Sequence, residues 1–334
     1  MSAPRLVFTI DVEEDMPGWS ITDPITVHNV AALPRLAELC EELGVLPTYL
    51  CTYPTVTQPE SAATLRMIQS RGGCEIGTHL HPWNTPPYNG VPGRQGVDER
   101  TVTYYQSELG PERFRSKLDV LHAAVGEISG DAPVSFRAGR FGIDASTLSE
   151  LIPLGYLVDS SVTPLEEHLD DEGPDFRRAP QVPYRPSRTD ITKTGDLPIV
   201  EIPVSVGLTR RVPNMLRQAY VHLPKKMHVR GLLSRDWLRL IDFAWLYPAR
   251  FDLELMTRTA ETLVASGAPI LNVFVHSSEL IAGASGRVTS PADVERCFDG
   301  IRGILEYCQR ELGAQPSTLG DAATSMAASL GLTG

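Results

Sequence analysis

The sequence lacks the features of a membrane, secreted or nucleic-acid-binding protein. It contains no run of about eighteen apolar residues, which argues against a transmembrane helix. The N-terminus enters a short strand-like run without the apolar region and cleavage site of a signal peptide, so we expect a cytoplasmic protein. Lys and Arg number 30 against 41 Asp and Glu, and the net charge of -11 argues against a nucleic-acid partner.

Cysteines are also few, and none lies close to another in the sequence. The five are Cys40, Cys51, Cys74, Cys297 and Cys308, a spacing that predicts reduced, buried thiols rather than a disulfide framework. There is no internal repeat, low-complexity tract or clear linker. A chain of 334 residues could form two domains, but α/β barrels reach this size as one. We therefore predict a single domain over residues 1–334.

What the sequence does contain is an alternation of short apolar strands and amphipathic helices. The predicted strands are Arg5–Ile10, Val45–Cys51, Cys74–His79, Val134–Arg137, Tyr156–Asp159, Ile199–Val204 and Pro269–Val275. The predicted helices are Val27–Leu43, Ser61–Gln69, Glu112–Ile128, Ala145–Leu154, Leu253–Ser266 and, as the last clear one, Asp293–Leu312. In the first helix, Pro34 marks either a kink or the true start, and Gly44 the C-cap. This alternation predicts a parallel sheet covered by helices.

Three segments interrupt the alternation. Pro82–Tyr105 is rich in Pro, Gly, Asn and Thr and is too long for a simple connection, so we expect it to cover a site. Thr163–Asp196 is rich in Pro and Asp and is predicted to be irregular. Met215–Leu246 has an interrupted helical pattern, and its aromatic residues favour a packed core face over a carbohydrate-stacking platform. Those aromatic residues are Trp237, Phe243 and Trp245.

Two histidines stand two positions apart at the end of a predicted strand. Residues i and i+2 of a strand point to the same side, so His79 and His81 would project together, and Pro82 would end the strand. Two neutral imidazoles supply part of a metal site, because catalytic zinc takes three protein ligands and keeps one open position. The alternative is that one histidine is a cap or core residue and the other is exposed.

Other chemically active side chains also fall at the carboxyl ends of predicted strands. In parallel α/β architectures this edge of the sheet is where sites assemble. The pattern therefore predicts one site assembled from several strands. Its members would be Asp11, Glu13, His79, His81, Arg137, Arg140 and His276.

Several motifs, taken together, resemble those of the polysaccharide deacetylases with a NodB-type domain, also called family-four carbohydrate esterases, in a divergent cytoplasmic subgroup. They occur in family order and cover most of the chain. The motifs are Thr9–Glu13 (TIDVE), Pro47–Leu50 (PTYL), Glu75–His79 (EIGTH), Phe136–Gly142 (FRAGRFG), Tyr156–Ser161 (YLVDSS), Ile199–Val204 (IVEIPV) and Phe274–Ser277 (FVHS).

The resemblance implies a distorted (β/α) barrel with mostly parallel strands and outer helices. It also implies a metal-dependent hydrolase of carbon-nitrogen bonds other than peptide bonds, with zinc as the metal and cobalt or nickel as alternatives. By the resemblance, Asp11 is the catalytic base, Arg137 orients it and His276 is the general acid. The implied metal ligands are Glu13, His79 and His81. Trp83 and Arg140 are predicted to bind substrate, and a structural role for Arg140 is an equal alternative.

The sequence departs from the family pattern at two positions. The second metal histidine usually lies four residues after the first, where this chain has Trp83, so His81 is predicted to replace it. Val12 occupies the place of an aspartate, so Glu13 would supply the carboxylate, with Glu14 or Asp15 as alternatives.

The favoured activity is removal of the N-acetyl group from an acetamido sugar in a glycan, a glycoconjugate precursor or a small glycoside. The partner is therefore a small-molecule or glycan substrate. The alternatives are hydrolysis of another carbon-nitrogen bond, as in a ureide or formamide (allantoinase-like), and a metal-poor carbohydrate-binding protein.

Overall fold

A computed structural model describes residues 3–212, 215 and 242–332. Its main sheet has eight strands, which are β1 (Arg5–Val12), β2 (Pro47–Cys51), β3 (Glu75–Leu80), β4 (Ser135–Ala138), β5 (Val158–Asp159), β6 (Val200–Glu201), β9 (Ile270–His276) and β10 (Gln315–Pro316). Seven of them follow the order β10-β1-β2-β3-β4-β5-β6, and β9 pairs with β1. Every pair in this sheet is parallel. The predicted distorted (β/α) barrel is thereby confirmed.

A small antiparallel sheet of two strands lies between β6 and β9 in chain order. It consists of β7 (Val206–Leu208) and β8 (Phe243–Trp245). Two backbone hydrogen bonds join the residues that flank it to β9. They run from Ser205 N to Asn272 O (3.1 Å) and from Phe274 N to Leu246 O (3.1 Å). The two-stranded sheet is therefore attached to β9 of the parallel sheet.

Helices cover the parallel strands, as expected when both faces of a sheet must be shielded from water. They are α1 (Leu33–Leu43), α2 (Tyr53–Thr57), α3 (Pro59–Arg71), α4 (Pro111–Ser129), α5 (Ala145–Ser149), α6 (Leu253–Ala265), α7 (Pro291–Arg310) and α8 (Leu319–Ala327). Within the described ranges, no helix combines the length and the apolar character needed to cross a bilayer.

The start of α1 settles the alternative left open at Pro34. Residues His28–Ala32 form a 3-10 turn, and the α-helix begins at Leu33 with Pro34 in its first turn, where a missing N–H is tolerated. Gly44 ends this helix with φ 63°, a left-handed conformation that glycine adopts without strain. Pro34 is thus the true start of the helix rather than a kink.

Two predictions were wrong near the carboxyl half of the chain. Phe243–Trp245 is a strand and not part of a helix, because its backbone pairs with Val206–Leu208. Residues 216–241 of the predicted helical segment, which include Trp237, lie outside the described residues. Asp293–Leu312 is not the last helix, since α8 follows it and packs small side chains such as Ala322 and Ala323 against the sheet.

The two long irregular segments have the character predicted for them. Residues 163–196 contain only isolated bridges and one short 3-10 turn, at Leu169–Asp171. Residues 82–105 contain one 3-10 turn, Glu99–Thr101, and otherwise no regular structure. Trp83 and Thr103, near its two ends, line the cavity described below.

A buried cluster of charged and polar groups attaches the segment 82–105 to α4. The fully buried Glu99 accepts hydrogen bonds from Asn89 N (2.6 Å) and Tyr104 Oη (2.5 Å) and lies 3.4 Å from Lys117 Nζ. Lys117, on α4, also donates to the carbonyl of Pro87 (2.8 Å). A buried charge is stable only when it is paired and hydrogen-bonded, so this cluster ties the segment to α4.

Candidate active site

Four strands of the parallel sheet end at the same edge and bring their polar residues together there. The register places Asp11 of β1 opposite His276 of β9, and His79 of β3 opposite Arg137 of β4. Beyond these strand ends is a cavity of about 300 Å³. Its lining comprises Asp11, Glu13, Met16, Trp19, His79, His81, Trp83, Thr103, Ala138, Arg140, Phe141 and His276. All eight site residues predicted from the sequence are therefore in this cavity or, in the case of Arg137, directly behind it.

Three potential metal ligands converge at the base of the cavity. His79 Nε2 and His81 Nε2 are 3.0 Å apart. Glu13 Oε2 lies 3.9 Å from the first and 3.7 Å from the second. All three side chains are buried, and their ligand atoms lie within 4.8 Å of one another. The i, i+2 spacing therefore places both imidazoles on one side of the chain, as the strand geometry requires.

The position of His81 depends on a glycine in the neighbouring strand-to-loop turn. A Cβ atom on Gly139 would lie 2.2 Å from His81 Cδ2 and 2.8 Å from its Nε2. Any side chain at this position would displace the imidazole from the cluster. Gly139 follows β4 directly, so the turn after β4 is shaped around a histidine of β3.

The hydrogen bonds of the two imidazoles indicate which ring nitrogens carry protons. His79 Nδ1 lies 3.0 Å from the carbonyl oxygen of Arg137, and His81 Nδ1 lies 2.9 Å from Glu14 Oε1. Both partners are acceptors, so each Nδ1 carries a hydrogen, and in the neutral imidazole each Nε2 keeps a lone pair that can bind a cation. Lone pairs from two imidazoles and one carboxylate thus meet at one point.

This donor set fits a divalent metal ion. Zinc and its relatives bind neutral imidazole and carboxylate, and metal-binding histidines commonly donate the other N–H to a carboxylate or a backbone carbonyl. His79 donates its Nδ1–H to the backbone carbonyl of Arg137, and His81 donates its Nδ1–H to the carboxylate of Glu14. Burial raises the pKa of Glu13 to about 7, although the nearby His276 and His81 act to lower it. A cation at this point would favour the ionised carboxylate.

Glu14 is a site residue whose role was not predicted from the sequence. Its Oε1 accepts from His81 Nδ1 (2.9 Å) and Trp83 Nε1 (2.7 Å), and its Oε2 accepts from Asn84 Nδ2 (2.7 Å). The side chain is completely buried. Burial would raise the pKa of Glu14, but His81 and these hydrogen bonds lower it below its usual value. Glu14 is therefore an anion that holds His81 and the start of the segment 82–105.

The alternatives weighed for the metal carboxylate can now be compared. Glu14 has both oxygens occupied by other donors, as described above. Asp15 turns away and accepts from the backbone N–H groups of His28 (2.8 Å) and Asn29 (3.1 Å), where it caps the 3-10 turn before α1. Glu13 is the carboxylate that faces the two histidines.

Asp11 is paired with a completely buried arginine. Arg137 Nη1 donates to Asp11 Oδ1 at 2.6 Å, and Nη2 donates to Thr9 Oγ1 at 2.9 Å. Arg137 Nε donates to the carbonyl of Ser160 at 2.8 Å. Burial would raise the pKa of Asp11, but the charge of Arg137 and the nearby imidazoles of His79 and His276 lower it. Asp11 is therefore ionised and fixed in direction.

His276 lies across the cavity from Asp11, with Nε2 4.0 Å from Asp11 Oδ2. Its Nδ1 contacts Glu279 Oε2 (3.3 Å) and Tyr247 Oη (3.1 Å). Burial would lower the pKa of His276, but Glu13 and then Glu279 raise it to about 9. Glu279, also missed in the sequence, is buried and accepts from the backbone N–H of His276 (3.1 Å). Glu279 and Tyr247 therefore hold Nδ1 of the imidazole, and Nε2 lies on the side of Asp11.

The two predicted substrate contacts occupy different places in the cavity. Arg140 stacks on the ring of Tyr105, with Cζ 4.2 Å from the ring centroid, and its Nη2 donates to Asp171 Oδ2 at 3.1 Å. Trp83 is almost entirely buried, with its ring centroid 4.3 Å from that of His81. A substrate contact stays a prediction for both residues.

Comparisons with known proteins were made for the sequence and for the structure. No protein-family model matches the sequence, and no curated protein matches it. The structure is similar to a protein of Mycobacterium smegmatis described as a polysaccharide deacetylase, at 18% identity, TM-score 0.55 and coverage of 99% of this chain and 96% of the other. It is also similar to a protein of Parabacteroides distasonis described as a glycoside hydrolase/deacetylase, at 11% identity, TM-score 0.59 and coverage of 98% and 72%.

These two likenesses concern the whole architecture. At 18% and 11% identity they show the fold and not the activity. The chain thus has the fold described for polysaccharide deacetylases, and the resemblance seen in the sequence motifs is confirmed at that level.

Proposed function

We propose that the chain is a single-domain, metal-dependent hydrolase that removes the N-acetyl group from an acetamido sugar. The observation that carries the proposal is the convergence of the ligand atoms of Glu13, His79 and His81 beside two further groups. These are Asp11, which is paired with Arg137, and His276, whose Nε2 lies 4.0 Å from Asp11 Oδ2. A base, an acid and a cation-binding cluster in one cavity are the parts that hydrolysis of an amide requires.

The residues that would hold a metal ion are Glu13, His79 and His81. A divalent ion, zinc by preference with cobalt or nickel as alternatives, would lower the pKa of a water molecule and polarise an acyl oxygen there. Glu14 contributes indirectly, because its carboxylate keeps the Nδ1 proton on His81 and so keeps Nε2 free to bind. His79 is held in the same tautomer by the carbonyl of Arg137.

Asp11 is proposed to accept the proton of the attacking water. The charge of Arg137 keeps Asp11 ionised, and the 2.6 Å bond to Oδ1 leaves Oδ2 directed towards the cavity and His276. An ionised carboxylate held by a buried arginine cannot rotate away from its target. Proton transfer by such a positioned base contributes about 10²- to 10⁴-fold to the rate.

His276 is proposed to donate a proton to the departing nitrogen. An amine leaves an amide only when it is protonated, because an amide anion is a very poor leaving group. Glu279 holds Nδ1 and leaves Nε2 facing the cavity, opposite Asp11. The acid and the base therefore approach a bound acyl group from two different strands, β9 and β1.

An acetamido sugar is the substrate class that best agrees with the sequence motifs and the fold. Two alternatives from the sequence become outcomes of the test. One is hydrolysis of a ureide or formamide, and the other is binding of a carbohydrate without metal or turnover. The proposed partner is a small-molecule or glycan substrate, and a cytoplasmic location remains a prediction from the sequence.

The test is acetate release from N,N′-diacetylchitobiose by metal-free protein, by protein reloaded with zinc, cobalt or nickel, and by Asp11→Asn. We expect release only after metal loading and a loss of about a hundredfold or more in Asp11→Asn. Hydrolysis of allantoin or an N-formyl compound in place of the acetamido sugar would contradict the proposed substrate. Absence of turnover on every substrate despite bound metal would contradict the proposed activity.

A further inference from the structure

A tryptophan that none of the sequence motifs includes lies at the mouth of the cavity. Trp19 belongs to the short turn Pro17–Trp19 that follows β1, and its side chain lines the cavity. Its ring centroid is 6.3 Å from that of His276, in an edge-on arrangement. The residue is 45% exposed, although tryptophans are mostly buried. A large apolar ring is thus presented to solvent beside the proposed general acid.

The backbone that carries this ring is in an unfavourable conformation. Gly18 has φ 61° and Trp19 has φ 62°, and the second value is rare for a bulky residue. The turn is tied down by Trp19 N to Met16 O (2.9 Å) and by Met16 N to Ala284 O (2.8 Å). Conformations of this kind persist where the surroundings impose them, and they concentrate at ligand sites.

A second loop, after β9, is shaped to receive the indole. A Cβ on Gly286 would lie 2.3 Å from both Cδ1 and Nε1 of Trp19, so only glycine leaves room for the ring. The guanidinium of Arg287 lies 5.9 Å from the ring centroid of Trp19. Arg287 Nε is also 3.6 Å from Glu279 Oε1, the carboxylate that holds His276. The ring is thereby fixed relative to the acid without being buried.

We propose that Trp19 is a stacking platform for the pyranose ring that carries the acetamide. The inference rests on the proposed function and names the part of the substrate that the site recognises. The departing nitrogen must reach His276, and the sugar ring is bonded directly to that nitrogen. The sugar ring therefore comes to lie beside His276. Among the described aromatic rings packed against His276, which are Trp19, Tyr247 and Phe274, Trp19 is the one that lines the cavity. The flat apolar indole then meets the C–H face of the sugar, while its hydroxyls stay in water.

The test is calorimetric binding of N,N′-diacetylchitobiose to the metal-loaded protein and its variants, each carrying Asp11→Asn so that the disaccharide is not hydrolysed during the titration. Trp19→Ala should raise Kd about tenfold, since a stacked aromatic contact is lost. Trp19→Phe keeps a flat ring and should stay within about threefold of the wild type. The matched control is Leu157→Ala, because Leu157 is also 45% exposed but does not line the cavity. Its Kd should equal that of the wild type.

A kinetic comparison separates sugar recognition from general damage to the site. In Trp19→Ala, kcat/KM for the sugar should fall about tenfold further than kcat/KM for 4-nitrophenyl acetate, which has no sugar ring. Equal losses on the two substrates, or an unchanged Kd for the disaccharide in Trp19→Ala, would overturn the platform. So would a wild-type protein that does not bind the disaccharide.

The binding measurement stands apart from the proposed activity. A wild type that binds the disaccharide through Trp19 but never releases acetate would support the platform and contradict deacetylation. A wild type that releases acetate with unaltered sugar affinity in Trp19→Ala would support deacetylation and overturn the platform.

Discussion

Replacing Glu14 by glutamine should weaken metal binding while leaving all three proposed ligands in place. The carboxylate accepts hydrogen bonds from His81 Nδ1, Trp83 Nε1 and Asn84 Nδ2, at 2.9, 2.7 and 2.7 Å. Glutamine has nearly the same shape but no charge. The N–H of His81 would then meet a weaker acceptor, and Nε2 would become a poorer electron donor.

The expected loss of metal affinity follows from what the hydrogen-bonded partners of metal-binding histidines contribute in other proteins. Loss of a hydrogen-bonded partner behind a metal-binding histidine typically lowers affinity about 10- to 100-fold, or about 1.4 to 2.8 kcal/mol. Glu14→Ala would be a poor variant because it leaves three buried donors unpaired. At about 1–3 kcal/mol for each donor, the loss approaches the whole stability of a domain. Glutamine therefore tests metal binding with less risk of unfolding.

The assay is competition for zinc with a chromophoric chelator at fixed pH, together with the rise in Tm that zinc produces. Asp15→Asn is the matched control, since Asp15 is the next residue, is buried, and accepts from the backbone N–H groups of His28 and Asn29 instead. It should lower Tm without changing zinc affinity. Wild-type zinc affinity in Glu14→Gln, with a folded protein, would refute the role given to Glu14.

Three further predictions concern the acid, the segment 82–105 and the second histidine. His276→Ala should lose about a hundredfold in turnover on an acetamido sugar but less on an aryl acetate. Activity should fall as pH rises through about 9, the pKa of His276, and Glu279→Gln should move that limb to lower pH. Burial lowers the pKa of Lys117 from 10.5 to about 8, so the unfolded chain binds more protons between these values. Urea unfolding should therefore show wild-type stability rising with pH over that window relative to Lys117→Met. His81→Ala should lower metal content sharply in elemental analysis, whereas Trp83→Phe should retain most of it.

Each of these predictions has an outcome that would contradict it. Equal losses on amide and ester in His276→Ala would assign His276 to the fold or to the metal. A pH dependence of stability that is the same with and without Lys117 would mean that its ammonium group is not desolvated. Retention of metal by His81→Ala, with loss in Trp83→Phe, would place the ligand set elsewhere.

The arrangement of the site could be predicted from the sequence because the carboxyl ends of parallel strands lie at one edge of a sheet. Asp11, His79 and His276 each follow an apolar run, and that position alone predicts that they meet. The short spacing of His79 and His81 was equally informative, because strand geometry places both on one side. Short-range sequence patterns were thus enough to predict the placement of a side chain whose direction is set by its own strand.

Residues that act through contacts between distant segments could not be recognised in this way. Glu14 holds groups 67 to 70 positions further along the chain, and next to Glu13 it reads as one more acidic residue. The position of the Trp19 ring depends on the space left by Gly286, which belongs to another loop. The strand Phe243–Trp245 has three residues, too few to show an alternating pattern. In each case the deciding partner lies far away in the sequence.

Glu13, His79 and His81 are proposed to hold one catalytic metal ion. Elemental analysis of the purified protein, after removal of loosely bound ions and reloading with zinc, cobalt or nickel, measures this directly. We expect about one ion per chain in the wild type and in Asp11→Asn, and almost none when both His79 and His81 are replaced by alanine. A folded wild-type protein that takes up none of these metals would show that the three residues do not form a metal site.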